Sequence, residues 1–412
     1  VKLPYLIFPF GCNASQFNAV KNALENKLSV IEGPPGTGKT QTILNIIANI
    51  VIAGKTVQVV SNNNSAIQNI YEKFSEYGLD FIIASLGRSS NKTKFLTSQT
   101  DLYPDFSSWF SAEAESPEFV EEIKTLSEQL VRVFDLQSEL AKTKQELNQI
   151  ILEQRHFEKY ITETDLPDRT KIIMRKTVNS SDILKLWERC QRYADSEKSV
   201  SFFFKLKSRF KYGMCKWDFY KNKPEHIISA LHALFYRAKE EELQRKISFA
   251  KSSLKSINAQ QLLNDMQAKS MQYFKHRLYI KYSKNESRPI FTEEDLWKRS
   301  CEFQFEYPVV LSTTFSSRNS LYRKAKFDYA IMDEASQVDI PTGALALSNA
   351  GHAVIVGDSK QLPNVITDGD RKIADAIFRS FDLSLSYNFA NNSFLSSLCK
   401  VIPDIPRTLL RE

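Results

Sequence analysis

Between Ser29 and about Gly87, short apolar runs (LSVIEG, TVQVVS, DFIIASLG) alternate with stretches whose apolar residues recur at helical steps, one opening at Lys39 and one closing near Phe74. That alternation predicts βαβαβ, hence a parallel sheet with helices on both faces. It returns after residue 305 as YPVVLSTTF, FDYAIMDEAS and HAVIVGDS. Between the two blocks the strand signals vanish. From Glu118 to Ile161, Ile123, Leu126, Leu130, Val133, Leu140, Leu147 and Ile151 recur at three- and four-residue steps amid Glu, Lys and Gln. The spacing predicts an amphipathic helix of about 60 Å if continuous, at ~1.5 Å per residue. A second such stretch, from about His226 to Leu278, can return antiparallel to it. The chain therefore divides into a first α/β part at 1–100, a mostly helical, antiparallel coiled-coil-like insertion at 101–300, and a second α/β part at 301–412. The pattern leaves open whether the insertion is a stalk or a compact bundle.

Composition narrows the class. With 412 residues, 42% of them hydrophobic, the chain can bury a substantial core. A net charge of +7 favours polyanionic partners, although so modest an excess in a chain of this length is as often solvated surface. The five cysteines (Cys12, Cys190, Cys215, Cys301, Cys399) form no CxxC pair and have no His at ligand spacing, which argues against zinc and disulfides and for a reducing, cytoplasmic setting. No apolar run reaches the ~18 residues a membrane helix needs; Ile43 to Ala53 is broken by Asn45 and Asn49. A soluble protein is expected. The opening VKLPYLIFPF has neither the flanks nor the cleavage site of a signal peptide, and the sequence reads as an internal fragment. Within the insertion, residues 201–223 interleave Lys205, Lys207, Arg209, Lys211 and Lys216 with Phe204, Phe210, Tyr212 and Trp217. Cations beside stacking rings suit a single strand, and equally suit a helical subdomain with an aromatic core and a wet lysine face.

Gly33-Pro34-Pro35-Gly36-Thr37-Gly38-Lys39-Thr40 follows an apolar strand and opens a helix, satisfying G-x-x-x-x-G-K-[ST] in the required context. Its glycines let backbone N–H groups turn inward around phosphates, where the helix N-terminus adds positive potential. Lys39 is expected to reach the β- and γ-phosphates of ATP, and Thr40 to ligate Mg²⁺. A P-loop needs an acidic partner at the end of a neighbouring strand, and Phe327–Met332 followed by Asp333-Glu334 supplies one. Asp333 is expected on Mg²⁺ through water, and Glu334 beside the attacking water as its base. A third strand ends in Gly357-Asp358-Ser359-Lys360-Gln361-Leu362-Pro363, which places Gln361 where it could bond the γ-phosphate and feel its loss.

Taken together and in order, GPPGTGKT, DEAS and GDSKQLP closely resemble motifs I, II and III of superfamily-one helicases, in particular the group of the nonsense-mediated-decay helicase and its bacterial relatives. The resemblance covers roughly residues 12–90 and 300–412 and implies a P-loop NTPase with a RecA-like sheet, acting as an ATP-dependent motor on single-stranded DNA or RNA. Asn13 to Val20 is similar to the family's Q motif, which implies that Gln16 bonds the adenine edge. Residues 57–70 resemble motif Ia, which touches the nucleic-acid backbone. There the usual Ala-Pro-Ser-Asn is Ser61-Asn62-Asn63-Asn64, keeping only Asn64. Val309 to Thr314 resembles the strand whose threonines, here Thr313 and Thr314, face nucleic acid. Pro406 to Glu412 looks like the start of motif IV, so a second RecA-like domain is expected beyond Glu412. Because that domain supplies the arginines of the γ-phosphate site, this chain alone is expected to bind ATP and hydrolyse it poorly. Two rivals share parts of the pattern. An SMC-type ATPase also places a P-loop before a coiled coil, but needs an LSGG-like signature that residues 307–335 lack. An ATP-dependent clamp on nucleic acid, without unwinding, would use the same first domain.

Overall fold

The computed structural model describes residues 5–163, 178–195, 223–322, 324–361 and 368–411. Two compact units emerge, residues 1–130 with 260–412, and residues 131–259.

The first unit is built on seven parallel strands: β1 (Leu28–Glu32), β2 (Val57–Val60), β3 (Ile83–Ser85), β4 (Val309–Ser312), β5 (Phe327–Met332), β6 (Ala350–Gly357) and β7 (Arg407–Leu409). Their order is β3-β4-β2-β5-β6-β1-β7, so strands from the two ends of the sequence interleave in one sheet. Every residue of β2 and β4 is buried, as a strand covered on both faces requires. The two α/β blocks thus fold as one sheet, as expected. Residues 407–409 pair with β1 (Val30 with Arg407, Glu32 with Leu409) as its edge strand. Asn13 and Ser15 both donate to the carbonyl of Arg411, which fastens the segment to the helix α1 (Ala14–Glu25).

Helix α2 (Lys39–Ile52) is buried nearly all round, with Ile43, Leu44, Ile46, Ile47, Ile50 and Val51 in the core. Asn45 and Asn49 are buried too, and each finds backbone partners in the preceding segment. Asn49 accepts from Ile7 N–H at 3.0 Å and donates to Ile7 O at 2.7 Å; Asn45 accepts from Phe10 N–H and donates to Gly11 O. Buried amides cost free energy unless paired, so these asparagines fix the path of residues 7–11 across α2. A second buried polar cluster lies beside β3 and the helices α9 (Asp295–Lys298) and α10 (Ser300–Glu306), where Arg288 Nε meets Glu306 Oε1 at 2.7 Å with side chains 8% and 4% exposed. Tyr103 donates to the other carboxylate oxygen, and the guanidinium lies 4.5 Å from the Tyr307 ring centre.

The second unit contains the later part of α5 (Pro117–Glu163), α6 (Ser180–Asp195) and α7 (Pro224–Ser256). Glu146 pairs with Lys239, Ile150 packs with Tyr236 and Leu243, and Phe157 lies 4.2 Å from the His232 ring, so α5 and α7 run antiparallel. Helix α6 adds a third rod, packing Leu186 and Cys190 on Ile227 and Leu231. The second predicted helical stretch is two helices, α7 and α8 (Ala259–Tyr282), because the chain turns extended at Ile257. The serines before the break bond locally to backbone carbonyls (Ser252 to Phe249, Ser256 to Ser253), the competition that weakens a helix end. Residues 201–222, with Lys205, Lys207, Arg209 and Lys211, lie outside the described residues. Among the described residues no helix is long and apolar enough to cross a membrane.

Candidate functional site

Parallel strands present their C-terminal ends at one edge, and an open α/β sheet binds ligands there. Strand β6 lies between β1 and β5, with Val30 level with Ile355 and Ile355 level with Met332. The loops leaving the three strands, carrying Gly33–Lys39, Asp358–Gln361 and Asp333-Glu334, therefore emerge side by side. At ~4.8 Å per strand, the first and last are only about 10 Å apart. The turn after β5 also crosses close over the end of β6: a Cβ on Gly357 would lie 3.2 Å from Ser336 N.

The P-loop has the curled backbone its sequence predicts. Gly36 and Gly38 take φ of 89° and 80°, in the left-handed region that favours glycine. Gly33 is also sterically required, since a Cβ there would lie 2.5 Å from Thr37 Oγ1. Thr37 donates to Pro34 O at 2.8 Å and Lys39 Nζ to Gly33 O at 2.8 Å, so the lysine bridges its own loop. Pro34, Pro35 and Gly36 are exposed at its rim. Thr40 Oγ1 accepts from Asn69 at 3.4 Å.

Gln16 is the third residue of α1 and buried. Its Oε1 accepts from Asn13 N–H, closing a capping box, while its Nε2 donates to Thr37 O at 3.3 Å and to Gln41 Oε1 at 3.1 Å. The amide that the resemblance aims at adenine is thus engaged with the P-loop itself, and an adenine contact would exchange one of these bonds.

Asp333 is 5% exposed, its N–H bonded to Val60 O. Burial first, then the neighbouring Glu334 charge, push its carboxyl up to about 6; the Glu334 N–H and the Lys39 ammonium act in the opposite direction. Glu334 has φ 54°, the one positive φ at a non-glycine among the described residues, and its Oε2 is buried without a hydrogen-bond partner. Strain and an unpaired buried oxygen at one residue mark a group held for something other than packing. Thr40 Oγ1, the Asp333 carboxylate and Glu334 Oε2 are hard oxygen donors of the kind Mg²⁺ takes. No group of three or more His, Cys, Asp or Glu is gathered among the described residues, so a cation here would draw its other ligands from water and phosphate.

Gln361 sits where the sheet order places it, its N–H bonded to Asp358 O at 3.1 Å; Leu362 and Pro363 lie outside the described residues. On the β2 side, Asn64 opens α3 (Asn64–Ser75), and its amide oxygen, in the orientation that pairs it, accepts from the Arg88 guanidinium at 2.8 to 3.1 Å. Thr313 accepts from Ser316 N–H, and Thr314 is fully buried with its hydroxyl on Asn62. Asn62, Asn69 and Gln41 contact these groups and were not singled out by sequence. Each is an exposed or half-buried amide in a polar run, whose role depends on a partner distant along the chain.

The AAA domain family model (AAA_11) matches residues 11–368. A 71-residue stretch is 44% identical to DNA polymerase alpha-associated DNA helicase A of Schizosaccharomyces pombe, covering 17% of this chain and 11% of that protein. A stretch of the same length is 44% identical to the Regulator of nonsense transcripts 1 homolog of Arabidopsis thaliana, covering 17% and 6%. Over 93 residues the chain is 34% identical to an uncharacterized ATP-dependent helicase of Mycoplasma genitalium, covering 23% and 8%. The matched stretches span only 6–11% of these relatives' own lengths. With the family match running through the P-loop, the acidic turn and the loop after β6, this chain belongs to the AAA domain family, in its superfamily-one helicase group.

Proposed function

We propose that the chain is the ATP-hydrolysing first motor domain of a nucleic-acid helicase, coupling turnover to movement on single-stranded DNA or RNA. One observation carries this reading: the loop ending in Lys39 and the turn bearing Asp333 and Glu334 leave the C-terminal ends of β1 and β5, which flank β6 in one parallel sheet. In this role the backbone of Gly33–Gly38 cradles the phosphates, and Lys39 leaves its bond to Gly33 O for the β- and γ-phosphate oxygens. Thr40 and Asp333 would hold Mg²⁺, which when bound neutralises charge on the phosphates. Glu334 Oε2 orients the attacking water and accepts its proton. Gln361 reads the γ-phosphate, and Gln16 the adenine edge. Asn64 and Thr313, at the ends of β2 and β4, together with the basic-aromatic segment around Lys205, Lys207, Arg209 and Lys211, would follow the strand.

The test is ATPase activity of the full-length protein with and without single-stranded DNA and RNA. Stimulation by either polymer, loss of nucleotide binding in Lys39→Ala, and retained binding with lost turnover in Glu334→Gln are the expected results. Absence of stimulation by both polymers would favour a nucleotide-dependent clamp. Wild-type turnover in Glu334→Gln would remove that residue from its role.

A further inference from the structure

Asn62 follows the end of β2, exposed, and its side chain ties together two segments that lie 252 and 275 positions further along the chain. Its Nδ2 donates to the carbonyl of Gln337 at 3.2 Å, and its Oδ1 accepts from the hydroxyl of Thr314. Each partner is fixed at its own end. Gln337 closes the tight helical turn 335–337, donating its N–H to Glu334 O at 2.9 Å, and this turn begins at the strained Glu334. Thr314 is fully buried in a knitted loop, where Ser317 Oγ donates to Thr314 O at 2.7 Å and Ser316 N–H to Thr313 Oγ1 at 3.1 Å. One short amide therefore spans from the loop after β4 to the turn that sets Glu334. The resembled motif carries Pro at this position, and a proline side chain has no donor or acceptor with which to make either bond.

We propose that Asn62 is a positioning residue that couples strand engagement at the loops after β2 and β4 to the placement of Glu334. The inference rests on the reading of the site given above. An asparagine side chain has two torsions and little reach, so it keeps both bonds only while loop and turn hold their spacing. A strand that steadies the Thr313-Thr314 loop steadies the Gln337 carbonyl through Asn62, and with it the left-handed conformation of Glu334, a state a non-glycine residue leaves readily when unsupported. Coupling between two ligands is reciprocal, so nucleotide bound beside Glu334 must alter strand affinity by the same factor.

The experiment uses the full-length protein as wild type, Asn62→Ala and Asn62→Asp. Affinities for fluorescent dT20 and U20 oligonucleotides are measured with and without a non-hydrolysable ATP analogue, and kcat and KM for ATP with and without oligonucleotide. In Asn62→Ala the nucleotide-dependent change in strand affinity is expected to shrink by about fivefold or more, the lower end of typical couplings. Strand-stimulated kcat falls with it while KM for ATP holds. Asn62→Asp still accepts from Thr314 but has no donor for the Gln337 carbonyl, so it behaves as Asn62→Ala; a merely space-filling role would leave it like wild type. Coupling unchanged in Asn62→Ala, or retained in Asn62→Asp, overturns the proposal. A wild-type protein with neither strand stimulation nor nucleotide-dependent strand affinity overturns the reading of the site, and the coupling with it.

Discussion

Replacing Gly38 by Ala tests whether the P-loop conformation is built into this chain before any phosphate arrives. Two costs follow from the structure. Gly38 has φ of 80°, and an L residue in the left-handed region costs ~1–2 kcal/mol. The new Cβ would also fall inside the envelope of Gln16 Nε2, with Gln16 Cδ 3.3 Å away. Gln16 is flexible enough to withdraw, but doing so gives up its bonds to Thr37 O and Gln41 Oε1, at ~1 kcal/mol each. The sum is about 3–4 kcal/mol against the phosphate-binding form of the loop, or roughly 100- to 700-fold in ATP affinity at ~1.4 kcal/mol per tenfold. Because part of that cost is shared with Gln16, Gly38→Ala and Gln16→Ala are not additive. Titration of wild type, both single variants and the double variant with a fluorescent ATP analogue should give a double variant better than the sum of the singles by about 1–2 kcal/mol. Affinity within twofold of wild type for Gly38→Ala, or strict additivity, would show that the loop is not preset by Gly38 and Gln16.

Asp333→Asn is expected to stabilise the metal-free protein at neutral pH. A carboxyl moved from 3.8 to about 6 in the fold loses stability as it ionises, so the difference between variant and wild type is absent below about pH 4, grows through pH 4–6 and levels off near 3 kcal/mol above it. Urea unfolding in EDTA across that range measures it, and a difference independent of pH contradicts it. Gly343→Ala, in helix α11 (Ile340–Leu347), would set a Cβ 2.5 Å from Cγ of Phe394, whose own N–H is held by Val338 O. Overpacking of ~1–3 kcal/mol outweighs the ~1 kcal/mol gained in helix propensity, so the melting temperature should fall. Glu306→Gln leaves Arg288 buried without its counter-charge and should cost about 3–5 kcal/mol in urea unfolding, much of it regained in the Arg288→Met, Glu306→Gln double variant.

The P-loop turn and the acidic tip of β5 were legible because their physics is local. A tight loop needs glycine at 36 and 38, a helix must start at Lys39, and an apolar strand must deliver Asp333 and Glu334, all within a few consecutive residues. The long helix over 118–161 was legible for the same reason, its apolar period being complete within the segment. Asn45 and Asn49 show the limit of such reading: from sequence they merely interrupt an apolar run, while in the fold they fasten residues 7–11.

The order of residues was enough to read the alternation of strands and helices, the curl of the P-loop and the family. Tertiary structure alone decided that residues 407–409 return to β1 as an edge strand, that Gln16 locks onto Thr37 and Gln41, and that Asn62 joins Gln337 to Thr314. Hydrophobic period and turn chemistry act between neighbours and leave a pattern in consecutive residues. Strand order and long-range amide bonds depend on which segments the sheet brings together, across as many as 377 positions between β1 and β7, and a single polar side chain carries no mark of the partner it will meet.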